Sequence, residues 1–289
     1  MSRVLTQPVS LARMAAVISL FFVAACTKVE RLAIPSAEAA DNRWEIFDAS
    51  SEVVVDHGAW DTFLEKYVST DAAGVNRVAY GAVTDDDRAA LMKYLEHLAG
   101  VHVTKLNRAE QLAFWINLYN AHTVALVIDN YPVDSIRDIG SGLLSTGPWK
   151  EEYILAYGEV LSLDDIEHGI VRPIFNDPRI HYALNCAAYS CPNLGKRAYR
   201  GTELDAQLDA AARAFVADPR GVAIDERGRL TVSKIYSWFR EDFGKSQANV
   251  LAHIGQYASE ELKAELAGRR KINRYAYDWA LNDAAAAVD

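Results

Sequence analysis

The sequence predicts one α+β domain, with several helices around a small antiparallel sheet, over residues 44–289. Three observations carry that expectation. Apolar residues recur at the 3.6-residue helical period through most of the chain. In two places a pair of short apolar arms flanks turn residues, as in a hairpin. No solenoid-like repeat and no long Pro/Gly/Ser-rich stretch interrupts the region, so its elements have one core to share.

Residues 1–25 read as an export signal. Arg3 and Arg13 precede the continuous apolar run Met14–Ala25, which is shorter than the roughly 20 residues that span a bilayer as a helix. Val23-Ala24-Ala25-Cys26 resembles the bacterial lipobox, which makes Cys26 the expected lipid-bearing residue and new N-terminus. Ordinary signal cleavage or a retained anchor helix are the plainer alternatives. Thr27 stands where aspartate signals inner-membrane retention, so the same resemblance favours the outer membrane. Several acyl chains hold durably where one does not, and the expected partner is the bilayer, with the domain facing the periplasm. Residues 26–43 show no sustained periodicity and suit a tether.

The helical stretches follow in order. Trp60, Phe63, Leu64, Tyr67 and Val68 share one spacing, and Leu91, Tyr94, Leu95 and Leu98 another. Arg108–Tyr131 is the strongest helical signal, with Asn107 as cap, Glu110 at the third position and Pro132 as the stop. Its stripe of Leu112, Trp115, Ile116, Tyr119 and Thr123 is broad enough to imply a central, mostly buried helix. Gly140–Gly147 is a Gly/Ser-rich loop, and Trp149–Val160 reads as a hairpin turning at Tyr157-Gly158. Ser162 to Asp165 form a capping box that starts a helix running to Val171 and closed by Pro173. Arg179–Cys186 is short, apolar and bounded by turns, as a buried strand would be. Beyond it come a helix over Glu203–Val216, a hairpin of Val222–Ile224 with Leu230–Val232, and a short aromatic helix over Ile235–Phe243.

Composition narrows the function. A net charge of −9, or −11 without residues 1–25, repels a phosphate backbone, so no nucleic-acid partner is expected. Neither paired Cys-x-x-Cys, nor His-Glu-x-x-His, nor a Gly-rich phosphate loop occurs, which argues against a zinc site or a nucleotide cofactor. Three cysteines, at 26, 186 and 191, are too few for a disulfide-framework domain.

Phe114–Thr123, Leu161–Arg172, Asp177–Leu194, Leu230–Phe243 and Tyr275–Asn282, in that order, resemble the family known as domain of unknown function 547. The resemblance implies bacterial secreted or lipid-anchored members sharing Asn117, Tyr119 and Asn120, the pair Glu167 and His168, and Cys186. It implies no particular chemistry. His122 departs from the apolar residue expected there.

The densest set of reactive side chains is Asp177–Pro192. Cys186 is the candidate nucleophile, with a helix start at Ala187-Ala188 to lower its pKa and supply oxyanion donors. His168 or His181 would be its base, oriented by Glu167, Asn117 or Asn120, a layout like that of papain although papain's cysteine signature is absent. If Arg179–Cys186 is a strand, alternation sets His181 and Cys186 on opposite faces. The substrate would be an amide or peptide-like envelope component. Against this stands a Cys186–Cys191 disulfide in a non-catalytic binding or scaffold module, the pairing favoured for an even number of exported thiols; a bridge in so small a loop can also be redox-active. His181, Cys186 and Cys191 lack a fourth ligand for a metal. Glu167 would be buried against an arginine such as Arg179, and Asn117 and Asn120 would pin a neighbouring segment or line a polar pocket. Trp238, Phe239, Phe243, Tyr275, Tyr277 and Trp279 read as core before groove, and His57, His97, His102 and His253 as surface residues.

Overall fold

The computed structural model describes residues 34–39, 41–140 and 147–287. The expected export signal, Cys26, the start of the expected tether and most of the loop at Gly140–Gly147 lie outside the described residues. Ser36–Asp289 is one compact unit of mixed helix and sheet. In chain order it contains α1 (Gly58–Tyr67), β1 (Val68–Thr70), β2 (Asn76–Val78), α2 (Asp85–Ala99), α3 (Arg108–Asn130), β3 (Ile154–Ala156) and β4 (Glu159–Leu161). A π-helix (Asp165–Val171) runs into α4 (Arg172–Phe175), followed by α5 (Leu204–Ala217), β5 (Val222–Ile224), β6 (Leu230–Ser233), α6 (Ile235–Trp238), α7 (Gln247–Tyr257), α8 (Glu260–Leu266) and β7 (Arg274–Ala276). No helix among the described residues is long and apolar enough to cross a membrane.

The organising element is α3. Asn107 Oδ1 accepts the Glu110 N–H at 3.0 Å, the cap its sequence predicts. Sixteen of its 23 residues are buried, so it is enclosed on all sides rather than amphipathic. Its buried polar side chains close the hydrogen bonds of segments that have no ladder of their own. Glu110 accepts the Val55 N–H at 2.8 Å and the Gly201 N–H at 2.9 Å, and Gln111 donates to Ile46 O at 2.9 Å. Asn117 binds both backbone groups of Tyr199, donating to its carbonyl at 2.8 Å and accepting its N–H at 2.9 Å. Buried backbone groups must find such partners, and α3 supplies them. The approach at Gly201 requires glycine, since a Cβ there would lie 2.5 Å from the Glu110 carboxylate and 2.7 Å from its backbone nitrogen.

Each sheet is short. β1–β2, β3–β4 and β5–β6 are antiparallel hairpins, and Tyr157 (φ 48°) with Gly158 (φ 83°) makes the tight β3–β4 turn foreseen from the sequence. β7 joins β6 in parallel after the excursion through α7 and α8, so that sheet is mixed rather than purely antiparallel. β1–β2 is an addition that the sequence reading did not include.

Three expected elements differ, and the first is the aromatic helix expected over Ile235–Phe243, which is the single turn Ile235–Trp238 followed by irregular turns. Arg179–Cys186 is not a strand: Pro178–Tyr182 is a 3-10 helix, started by the Asp177 side chain accepting the Arg179 N–H, and an irregular loop follows. A short apolar run bounded by turns does not distinguish buried strand from buried turn. The helix begun by Ser162 and Asp165, whose side chains cap one another's backbone N–H, does not stop at Pro173. Pro173 lies at the start of α4, where its missing N–H needs no acceptor, and the helix ends in the left-handed Asn176.

Apolar side chains gather into two cores. The larger surrounds α3 and includes Trp44, Trp60, Phe114 and Trp115. The second lies among α5, α7 and the β5–β6–β7 sheet and includes Tyr182, Tyr236 and Phe243. Tyr182 reaches into the second core from a segment whose Ile180 and Ala183 belong to the first. The loop that follows carries both cysteines.

Candidate functional site

Residues 183–194 have little regular structure, and three neighbours hold them. From α3, Asn120 donates to Ala183 O at 2.9 Å and accepts the Asn185 N–H at 2.8 Å. From the C-terminal segment, Asp278, Ala280 and Asn282 exchange backbone hydrogen bonds with Ser190, Tyr189 and Ala187. From the β5 approach, Arg220, paired with Asp218, donates to Tyr189 O at 2.6 Å and to Asn193 Oδ1 at 2.8 Å. Asn185 closes the loop on itself, accepting the Ala187 N–H at 2.9 Å and donating to Pro192 O at 2.7 Å. This tight path puts buried Ala187 at φ 60°, a backbone conformation that costs a non-glycine residue about 1 kcal/mol.

Both cysteines are free, and they face each other. The Cys186 N–H donates to Cys191 Sγ at 2.9 Å. Tyr277 Oη lies 3.0 Å from Cys186 Sγ. Cys186 is partly exposed, whereas Cys191 is buried. Burial pushes the Cys191 thiol up, but hydrogen bonds from the Cys186 thiol, the Tyr277 hydroxyl and the Cys186 N–H outweigh it and hold that thiol below its ordinary value. The hydrogen bond to Cys191 and then burial push Cys186 well above its own. Of the two, the inner sulfur is the one better held as a thiolate.

The expected histidine partner is not on either sulfur. His181 Nε2 lies 2.7 Å from Asp242 Oδ2, its Nδ1 faces Glu167 Oε1 at 3.9 Å, and its ring stacks on Phe239 with centroids 4.0 Å apart. His168 Nδ1 accepts from Arg172 Nη1 at 3.1 Å, and Arg172 in turn chelates Asp242 at 2.7 and 3.2 Å. Nor does a helix start at Ala187-Ala188; the Ala187 N–H is taken by Asn185, and the Cys186 N–H by Cys191.

Glu167 sits between the two groups. Its Oε2 accepts the Tyr119 hydroxyl at 3.1 Å, and the cation nearest in effect is Arg172, not Arg179, which is engaged by Asp177, Asp205 and Asp209. Burial raises the Glu167 carboxyl to about 7. Glu167 and His168 are adjacent yet both are largely enclosed, and they lie on a π-helix, a conformation that recurs at functional sites. A carboxyl raised from 4.5 to about 7 stabilises the fold fully below 4.5 and loses that contribution as pH rises through 7. Glu167→Gln is thus expected to remove about 2 kcal/mol of decline between pH 5 and pH 8, read from urea midpoints at the two pH values. An unchanged decline would exclude Glu167 as its source.

Other side chains fall differently from their sequence reading. His57 and His253 are buried, not superficial: His57 bridges Tyr94 Oη at 2.7 Å and Asn117 Nδ2 at 3.1 Å, and His253 meets Tyr182 Oη at 3.0 Å. Burial lowers both to about 4. Phe243 is core, but Trp238, Tyr277 and Trp279 are half-exposed and in mutual contact, with ring centroids 4.7 to 5.6 Å apart, beside the Cys186 sulfur. Tyr277, Arg172 and Asp242 were missed as site residues. Tyr277 had a signal in the alternating aromatics Tyr275, Tyr277 and Trp279, and Arg172 in its place four residues beyond His168, where it reads as a helix-surface cation. Among the described residues no group of three or more His, Cys, Asp or Glu side chains could hold a metal ion.

Residues 103–216 match the model of a family described as protein of unknown function, DUF547. The match covers α3, the π-helix, the thiol loop and nearly all of α5, and stops short of Asp242 and Tyr277. No curated protein and no solved structure matches the chain.

Proposed function

We propose that this chain, which carries a DUF547 domain, is a lipid-anchored envelope protein with a thiol-dependent hydrolase or transferase site for an amide or peptide-like acyl substrate. One observation carries the catalytic part: a partly exposed, unbridged Cys186 with a second free thiol, Cys191, whose sulfur accepts the Cys186 N–H at 2.9 Å. Cys191 fills the base role that sequence reasoning gave to His168 or His181. Cys186 attacks the carbonyl carbon, its proton passes to the Cys191 thiolate, and a C–S bond forms as the electron pair moves to the carbonyl oxygen. Collapse of that oxyanion breaks the bond to the leaving group, which takes the proton back from Cys191, and water or an acceptor nucleophile then releases the acyl group. The Tyr277 hydroxyl is the nearest donor for the developing oxyanion. Glu167, His181 and Asp242 stand behind the thiols as positioning residues, and Asn120 fixes the loop that presents them.

The anchoring part rests on the sequence: a signal over residues 1–25, lipidation at Cys26, a tether to residue 43 and a periplasm-facing domain on the outer membrane. Replacing Cys26 by serine is expected to shift the protein from the membrane to the soluble envelope fraction.

An activated acyl ester tests the site. The wild type is expected to form one acyl adduct, mapped by mass spectrometry to Cys186, and Cys186→Ser to form none on the same time scale. An adduct on neither thiol, or undiminished labelling of the serine variant, would leave the non-catalytic scaffold as the better account.

A further inference from the structure

We propose a second activity for the same loop, a reversible dithiol–disulfide couple that exchanges with external thiols through Cys186. Cys191 Sγ lies against the Cys186 backbone, accepting its N–H at 2.9 Å, and the two sulfurs differ in access: Cys186 is partly exposed, Cys191 buried. An incoming thiol can therefore reach only one sulfur of the oxidised pair, and the other must leave. The leaving position is prepared for charge. Cys191 Sγ receives the Cys186 backbone N–H at 2.9 Å, and the Tyr277 hydroxyl stands beside the pair, 3.0 Å from Cys186 Sγ. Thiol–disulfide exchange is faster, and the oxidised form more readily reduced, when the leaving thiolate is stabilised. A bridge that merely fastened the loop would have no need of such donors, because Asn120, Arg220 and the C-terminal segment already hold it.

A thiol R–SH loses its proton to solvent and its sulfur bonds to Cys186 Sγ; the Cys186–Cys191 bond breaks and its electron pair stays on Cys191 as thiolate. A second R–SH attacks the R sulfur of that mixed disulfide, releasing R–S–S–R and the Cys186 thiolate, which with Cys191 regains two protons. Two thiols have been oxidised and the bridge reduced by two electrons. With a disulfide in place of the thiols the sequence runs backwards and closes the bridge. The proposal does not need the acyl-transfer reading, because the couple is measured without a carbonyl substrate.

The test equilibrates the purified full chain, with Cys26 replaced by serine so that only two thiols report, against graded mixtures of reduced and oxidised glutathione. Thiols are then trapped with a mass-tagged maleimide. The expected result is loss of both thiols in one two-electron transition that reverses when reduced glutathione is restored. Tyr277→Phe, which removes one donor to the thiolate, is expected to favour the bridged form about five- to tenfold. Cys191→Ser is expected to accumulate glutathione on Cys186, a species absent from the wild type. Thiols that oxidise independently, a bridge that never forms, or one that excess reduced glutathione cannot open in the native protein would each overturn the proposal. None of these outcomes depends on whether the acyl ester labels Cys186.

Discussion

Asp242→Ala is expected to cost about 3–5 kcal/mol of stability, read as a fall in the urea midpoint at pH 7. Asp242 joins two side chains that are almost wholly enclosed: Arg172 is 4% exposed and His181 1%, while Asp242 itself is 18% exposed. It lies in the turns after α6, and those it binds lie on α4 and the 3-10 helix, so one carboxylate ties three parts of the chain together. Removing it takes from a buried guanidinium the charge that chelates it, and from a buried imidazole its hydrogen bond. Asp242→Asn keeps the volume and one acceptor and should cost less. The pH dependence separates charge from packing. Against burial, hydrogen bonds from His181 and Arg172 hold the Asp242 carboxyl well below its ordinary value of 3.8. That contribution is complete above pH 3.8 and is lost as pH falls further, so the alanine variant should approach the wild type in the most acidic samples that still fold. A deficit under 1 kcal/mol at pH 7 would mean that the network is peripheral.

Asn120→Ala is expected to cost about 2–4 kcal/mol, because it strands the Ala183 carbonyl and the Asn185 N–H in a buried setting. The consequence should reach the thiols. Asn185 places Cys186 through its own bonds to Ala187 and Pro192, so a loosened Asn185 frees the sulfur from its partner. Faster alkylation of both cysteines in folded protein, beside the drop in midpoint, is the expected pair of results. Lost stability with unchanged alkylation rates would show that the loop holds its shape by other means. Asn120 entered as a candidate to orient a catalytic base, and its geometry makes it a positioning residue for the thiol loop instead.

Local patterns were enough for the parts of this chain whose structure is locally determined. The Asn107 cap, the enclosed helix behind it, the Tyr157-Gly158 turn and the β5–β6 hairpin each depend on residues within a few positions of one another, where spacing and turn chemistry act. Arg179–Cys186 was misread because an apolar run shows that a segment is buried without showing its backbone conformation. His57 and His253 were misread as surface residues because polar neighbours in sequence say nothing of the helices that later cover them.

The candidate site divides along the same line. Composition and motif alone determined which residues were chemically able to act: Cys186, Cys191, Glu167, His181 and the two asparagines of α3. Which of them touch was decided only by folding. Tyr277 reaches Cys186 across 91 positions, and Asp242 reaches His181 across 61. Contacts over such separations arise when two cores are packed against one another, and no period or spacing in the chain encodes them.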